Sequence, residues 1–92
     1  MKKVTVFTTV YNGLPFLKEA IESVLNQTYK DFEYLIIDDC SDDESVKVIE
    51  SYDDPRIRLV RNEKNLGTAE TINKGLSIID SKYIVRLDQD DV

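Results

Sequence analysis

The 92 residues contain no histidine, one cysteine, three glycines and two prolines. Without histidine, imidazole-based proton transfer and histidine-bearing zinc sites are excluded within this sequence. A lone cysteine, Cys40, cannot close an internal disulfide, so nothing asks for an oxidising compartment. No apolar run approaches the ~20 residues that cross a bilayer. Met1-Lys2-Lys3 leads into a short β-rich segment and does not read as a secretory leader. Neither G-x-G-x-x-G nor G-x-x-x-x-G-K-[ST] occurs, which removes the dinucleotide fingerprint and the phosphate loop. Positive charge is also scarce: 12 Lys and Arg face 18 Asp and Glu, a net charge of -6 that argues against nucleic acid and anionic membrane surfaces as partners.

What remains is an ordinary globular composition, 41% hydrophobic and 33% charged, enough for one domain. Lys3 to Thr9 is rich in β-branched residues and predicts a first strand, broken at Tyr11-Asn12-Gly13. Pro15 suits a first helical turn, and Leu17, Ala20, Ile21, Val24 and Leu25 predict a helix with one buried face. Phe32 to Ile37, apolar apart from Glu33, predicts a strand covered on both sides. It runs into Asp38-Asp39, after which Ser41 or Asp42 is expected to cap a second helix carrying Val46, Ile49 and Tyr52 inward. Arg56 to Val60, with charged alternates, reads as a sheet edge. A third helix is expected to bury Ala69, Ile72, Leu76 and Ile79, and Tyr83 to Leu87 reads as a buried closing strand.

Strand and helix alternate throughout, which predicts a three-layer α/β/α sandwich with a mainly parallel, Rossmann-like sheet. With strand order 3-2-1-4, ligands are expected outside the carboxyl ends of the strands, where the order reverses. Those ends carry Thr8 to Asn12, Asp38-Asp39 and Asp88 to Asp91. A cleft so acidic, with no glycine cradle, could hold a phosphorylated ligand only through a hard divalent cation. Tyr11 offers a flat face for a base, and Asp39 an acceptor for a base N–H.

These residues, together with Ser23 to Thr28, Arg61 to Gly67 and the ending Leu87-Asp88-Gln89-Asp90-Asp91, make the chain similar to the start of the family 2 glycosyltransferases of the GT-A fold. The resemblance implies an inverting transferase that moves a sugar from a nucleotide-diphosphate sugar to a glycan, lipid or protein acceptor. It implies Thr9, Tyr11, Asn12, Asp39 and Asp88 as nucleotide-binding residues, with Tyr11 stacking on the base and Asp39 reading it. It implies Mg²⁺ or Mn²⁺ held by Asp90, with Asp88 on the ribose or a metal-bound water. Three departures stand out: Thr9 where many relatives have proline, Cys40 where many have glycine, and Ile72 where many have arginine.

Residues 1–92 are therefore expected to form a single domain, a truncated N-terminal donor-binding part, inactive alone. No catalytic residue is expected before Val92, since the general base would follow it. Asp38 is expected to hold its loop, Asp42, Asp43 and Glu44 to serve a helix start, and Arg86 to meet a carboxylate or the donor phosphates. The expected compartment is the cytoplasm, with membrane association of the parent protein and self-association through bare apolar surface as further expectations. Two other classes compete. One is a noncatalytic nucleotide-binding module. The other is a phosphoacceptor receiver domain, which also gathers acids at strand ends but places its acidic pair after the first strand.

Overall fold

A computed structural model describes residues 3–13, 17–26 and 31–87. The elements alternate as expected: β1 (Val4–Val10), α1 (Leu17–Leu25), β2 (Phe32–Asp38), α2 (Ser45–Glu50), β3 (Ile57–Arg61), α3 (Thr68–Ile78) and β4 (Tyr83–Arg86). All pairings are parallel and the order is β3-β2-β1-β4, as the sequence predicts.

Period-two alternation in the central strands splits their side chains between two cores. Val10, Phe32, Tyr34 and Ile36 join Leu17, Ile21 and Val24 of α1 and Ile49 of α2. Phe7, Leu35 and Ile37 face the other way, against Val60 and the Ile72, Ile78 and Ile79 side chains of α3 and its end. Each buried aliphatic or aromatic side chain contributes roughly 1.5–3 kcal/mol of transfer free energy. A polar pair deep in the larger core is satisfied: the Tyr34 hydroxyl lies 3.1 Å from Thr8 Oγ1 on the neighbouring strand.

α3 departs from the expected stripe. Thr71 and Gly75 are its buried residues, Ile72 is half-buried, and Ala69 and Leu76 are exposed. Gly75 packs so closely on Phe7 that a Cβ there would overlap the aromatic ring. The missing side chain turns the helix toward the sheet, and an apolar count over sequence cannot see that. α2 also differs: it ends at Glu50, leaving Tyr52 beyond it and half-buried, with its hydroxyl donating to Glu22.

β3 begins one residue later than expected. Arg56 is drawn out of the strand by a two-pronged pairing with Asp54, at 2.8 and 3.0 Å, while its guanidinium lies 4.8 Å over the Phe32 ring. β4 corrects a larger expectation. It forms, but Tyr83, Ile84 and Val85 are 40–52% exposed and not buried. The order places β4 at a sheet edge beside β1, and among the described residues α3 lies over β1 and β2 instead. No described helix is long and apolar enough to cross a membrane.

Gly75→Ala is expected to cost about 1–3 kcal/mol through overpacking against Phe7. Urea unfolding should show a lowered midpoint, and Phe7→Leu in the same chain should recover part of it. An unchanged midpoint for Gly75→Ala would refute the close-packed contact.

Candidate functional site

β2 ends at Asp38 and Asp39 follows it directly, and the two carboxylates go to opposite sides of the sheet. Asp38, wholly buried, follows Ile36 onto the α1/α2 side. Its carboxylate accepts both the backbone N–H of Ser41, at 2.9 Å, and the Ser41 hydroxyl. Since Ser41 donates its proton to Asp38, its oxygen is free to accept, and it takes the N–H of Asn12 at 2.8 Å. Asn12 returns the contact by accepting the Asp42 N–H through Oδ1, and Gly13 N–H bonds the Ser45 hydroxyl at 2.8 Å. The loops after β1 and β2 are thus stitched together. Two residues adopt the left-handed backbone this requires, Asn12 at φ 50° and Cys40 at φ 63°.

Ser41 and Asp42 therefore do not cap α2 as expected. Asp43 accepts the Ser45 N–H instead, and Ser41 is committed to Asp38 and Asn12. The expectation that Asp38 holds its own loop is borne out in those two bonds from Ser41.

Asp39 turns to the α3 side. It is 4% exposed, and its carboxylate is gripped by the segment between β3 and α3. Oδ1 accepts the Leu66 N–H at 2.7 Å and the Asn62 side-chain amide at 2.9 Å, and Oδ2 accepts the Gly67 N–H at 2.9 Å. The Asn62 amide is itself oriented from its far end, where Lys74 donates to Oδ1 at 2.7 Å. The same Nδ2 lies 3.1 Å from Thr71 Oγ1. Burial pushes the Asp39 pKa up. The bonds from Leu66, Asn62 and Gly67, with the Thr71 hydroxyl, outweigh it and hold the carboxyl below its ordinary value. Asn62, Thr71 and Lys74 were not singled out by the sequence. The available signal was that Asn62 directly follows β3 and so falls at the same end of a parallel sheet as Asp39.

The ladder hydrogen bonds continue past the strand ends and bring the ends of β1 and β2, and with them Tyr11 and Asp39, side by side. Asp39 N–H bonds Val10 O at 2.7 Å, Asn62 N–H bonds Asp38 O at 2.9 Å, and Leu87 N–H bonds Phe7 O at 2.9 Å. Tyr11, 47% exposed, therefore stands beside Asp39 at one rim, with half-buried Thr9 two residues earlier. Asp88 and Asp90 lie outside the described residues. Among the described residues no three acids or cysteines gather as metal donors, and Asp38 and Asp39 diverge. Flanking the Asp39 grip is an open cleft of about 560 Å³, lined by Arg61, Asn62, Glu63, Lys64, Leu66 and Lys74.

The family model described as "Glycosyl transferase family 2" matches residues 5–92. The chain is 37% identical over 90 residues to the "Putative teichuronic acid biosynthesis glycosyltransferase TuaG" of Bacillus subtilis, covering 96% of this chain and 36% of that protein. Among solved structures it is similar to S. aureus TarS 1-349 in complex with UDP-GlcNAc, with TM-score 0.88 and 25% identity over 96% of this chain and 26% of that one. It is also similar to the mannosyltransferase PcManGT from Pyrobaculum calidifontis in complex with GDP-Man and Mn2+, with TM-score 0.86 and 25% identity over 97% of this chain and 28% of that one. The chain spans about a third of the length of the curated relatives it matches.

The Asp39 grip makes a pH-dependent prediction. A carboxylate whose folded pKa is lowered contributes stability that is present above its ordinary value, near 3.8, and lost as pH falls through the lower folded value. Asp39→Asn puts an N–H₂ where an acceptor is needed and is expected to cost about 1–3 kcal/mol at pH 7. In urea unfolding, the gap between the original protein and this variant should narrow below pH 3.8. A gap that stays constant down to the acid limit of folding would remove the ionised Asp39 from the account.

Proposed function

The chain belongs to glycosyl transferase family 2, and from that premise we propose that its protein transfers a sugar from a nucleotide-diphosphate sugar to an acceptor, with inversion. Residues 1–92 bind the donor in this reading. The observation that carries it is the backbone bond from Asp39 to Val10 O. It sets an exposed aromatic face, Tyr11, beside a buried ionised acceptor, Asp39. That pair stands at the carboxyl ends of β1 and β2, next to the point between β1 and β4 where the strand order reverses.

Tyr11 stacks on the base. Asp39 accepts a base N–H, beside the bonds it takes from Leu66, Asn62 and Gly67 and from the Thr71 hydroxyl. Thr9 and Asn12 shape the floor and wall of the base site, Asn12 through the bonds that fix the loop after β1. Asp88 is assigned to the ribose or a metal-bound water, and Asp90 to Mg²⁺ or Mn²⁺. Their hard carboxylate oxygens suit such ions, and a diphosphate approaching this acidic end requires positive charge. When bound, the ion offsets negative charge on the departing diphosphate. No residue here is assigned as general base. The cytoplasm is the proposed compartment, in keeping with the exposed free thiol of Cys40. A receiver-like reading would need Asp38 and Asp39 to converge on one ion, and their bonds to opposite sides of the sheet count against it.

Calorimetric titration with nucleoside diphosphates, with and without Mn²⁺, tests the assignment. Tyr11→Ala is expected to weaken binding by about 1–3 kcal/mol, roughly 5- to 150-fold. Asp90→Ala is expected to abolish the enhancement by Mn²⁺. Full metal-dependent binding retained in Asp90→Ala would overturn the metal assignment, and unchanged affinity in Tyr11→Ala would overturn the stacking.

A further inference from the structure

Positive charge is scarce in this chain, and most of what the structure describes is already engaged. Arg56 meets Asp54 at 2.8 Å, Lys47 meets Glu44 at 3.2 Å and Arg58 meets Glu33 at 3.9 Å. Lys3 and Lys82 both lie over the Tyr83 ring. Arg61, Lys64 and Lys74 are different. They line the one open cleft of about 560 Å³ that follows the end of β3, and among the described residues none of the three pairs with a carboxylate. We propose that this cleft binds a small phosphate-bearing anion, without a metal and apart from the donor site.

The fold gathers the three cations by separate means. Arg61 is the last residue of β3, an outer strand of the sheet. The next residue, Asn62, is tied by its N–H to Asp38 O, and Leu66 N–H is drawn to the Asp39 carboxylate, so the chain between them, with Lys64, turns at the mouth of the cleft. Lys74 comes from α3, half-buried, and donates to Asn62 Oδ1 at 2.7 Å. That bond spends one of the three N–H groups of an ammonium and holds the others in place. Asn62 also separates the two sites, since its Nδ2 faces Asp39 while its Oδ1 faces Lys74. A charge at the end of an edge strand guards against strand pairing, which accounts for Arg61. It does not account for Lys64 and Lys74, which lie outside any strand.

Charge and shape select the ligand class. Glu63 also lines the cleft, so three cations against one acid leave an excess of two positive charges. A phosphate monoester carries roughly -1.5 to -2 at pH 7 and three strong acceptor oxygens, whereas a carboxylate carries a single charge. The Arg61 guanidinium offers a planar fork for two of those oxygens, and the lysines offer point charges for the rest. The volume falls within the roughly 300–1,000 Å³ of small-molecule sites, and Leu66 gives the remainder of such a ligand an apolar wall. No cation is needed to bring a phosphate here, in contrast to the acidic ends of β2 and β4.

NMR amide shifts followed during addition of sodium phosphate, with EDTA present and ionic strength held by sodium chloride, test the site. Saturable shifts are expected from Arg61 to Leu66 and at Lys74, and sodium acetate at the same concentrations should produce none. Arg61→Ala combined with Lys64→Ala, both at exposed positions, is expected to weaken phosphate binding by roughly tenfold or more, through loss of two charge-assisted contacts. Affinity should also fall several-fold between about pH 7.5 and about pH 5.5, where phosphate takes up its second proton while arginine and lysine stay charged. Shifts that never saturate, saturation matched by acetate, or an affinity unmoved by the two substitutions or by pH would each overturn the proposal.

Discussion

The bond network around one buried carboxylate, Asp39, ties the segment between β3 and α3 to the carboxyl edge of the sheet. A lone charge at that depth would be driven toward protonation. It stays ionised because two backbone amides, Leu66 and Gly67, and the Asn62 side chain converge on it. Convergence works in both directions. The donors stabilise the charge, and the charge fixes the segment between β3 and α3, which otherwise has little apolar surface to bury. The first turn of α3 begins where that segment ends, so the helix inherits its starting point from Asp39.

Among the described residues neither acid of the pair forms a salt bridge. Asp38 is satisfied by Ser41 and Asp39 by amides, all neutral donors held within the fold. Their contributions are therefore insulated from ionic strength in a way that surface ion pairs such as Lys47 with Glu44 are not. In a chain of net charge -6 this matters, because the strand ends are acidic and the ligand proposed for them is acidic too.

Much of the fold is written in periodicity. Leu17, Ala20, Ile21 and Val24 recur at helical spacing and are buried on α1, and β2 is apolar on both faces and lies between two helical layers. Alternation of elements gave the parallel sheet and its order, and the parallel sheet in turn gave the rim where Tyr11 and Asp39 meet. What sequence could not carry was decided by contact at a distance. Gly75 turns α3 because Phe7 sits beneath it. Arg56 leaves β3 because Asp54 and the Phe32 ring claim it. β4 is apolar enough for a core yet lies exposed, since apolarity reports what a strand can bury and says nothing of what stands over it. At the site, the position of Asp39 was legible but its partners were not. Asn62, Leu66 and Gly67 reach it from the segment between β3 and α3, and Lys74 on α3 holds Asn62 in turn.

The divergence of Asp38 and Asp39 also bears on how β2 finds its register. A strand that is apolar on both faces carries no hydrophobic instruction against slipping by one residue, since Phe32, Tyr34 and Ile36 could trade places with Leu35 and Ile37 at modest loss. The two acids break that ambiguity. A one-residue slide would present Asp38 to the amides of Leu66 and Gly67 and leave the Ser41 turn without its acceptor, so polar groups at the strand's exit act as the key that its greasy body lacks.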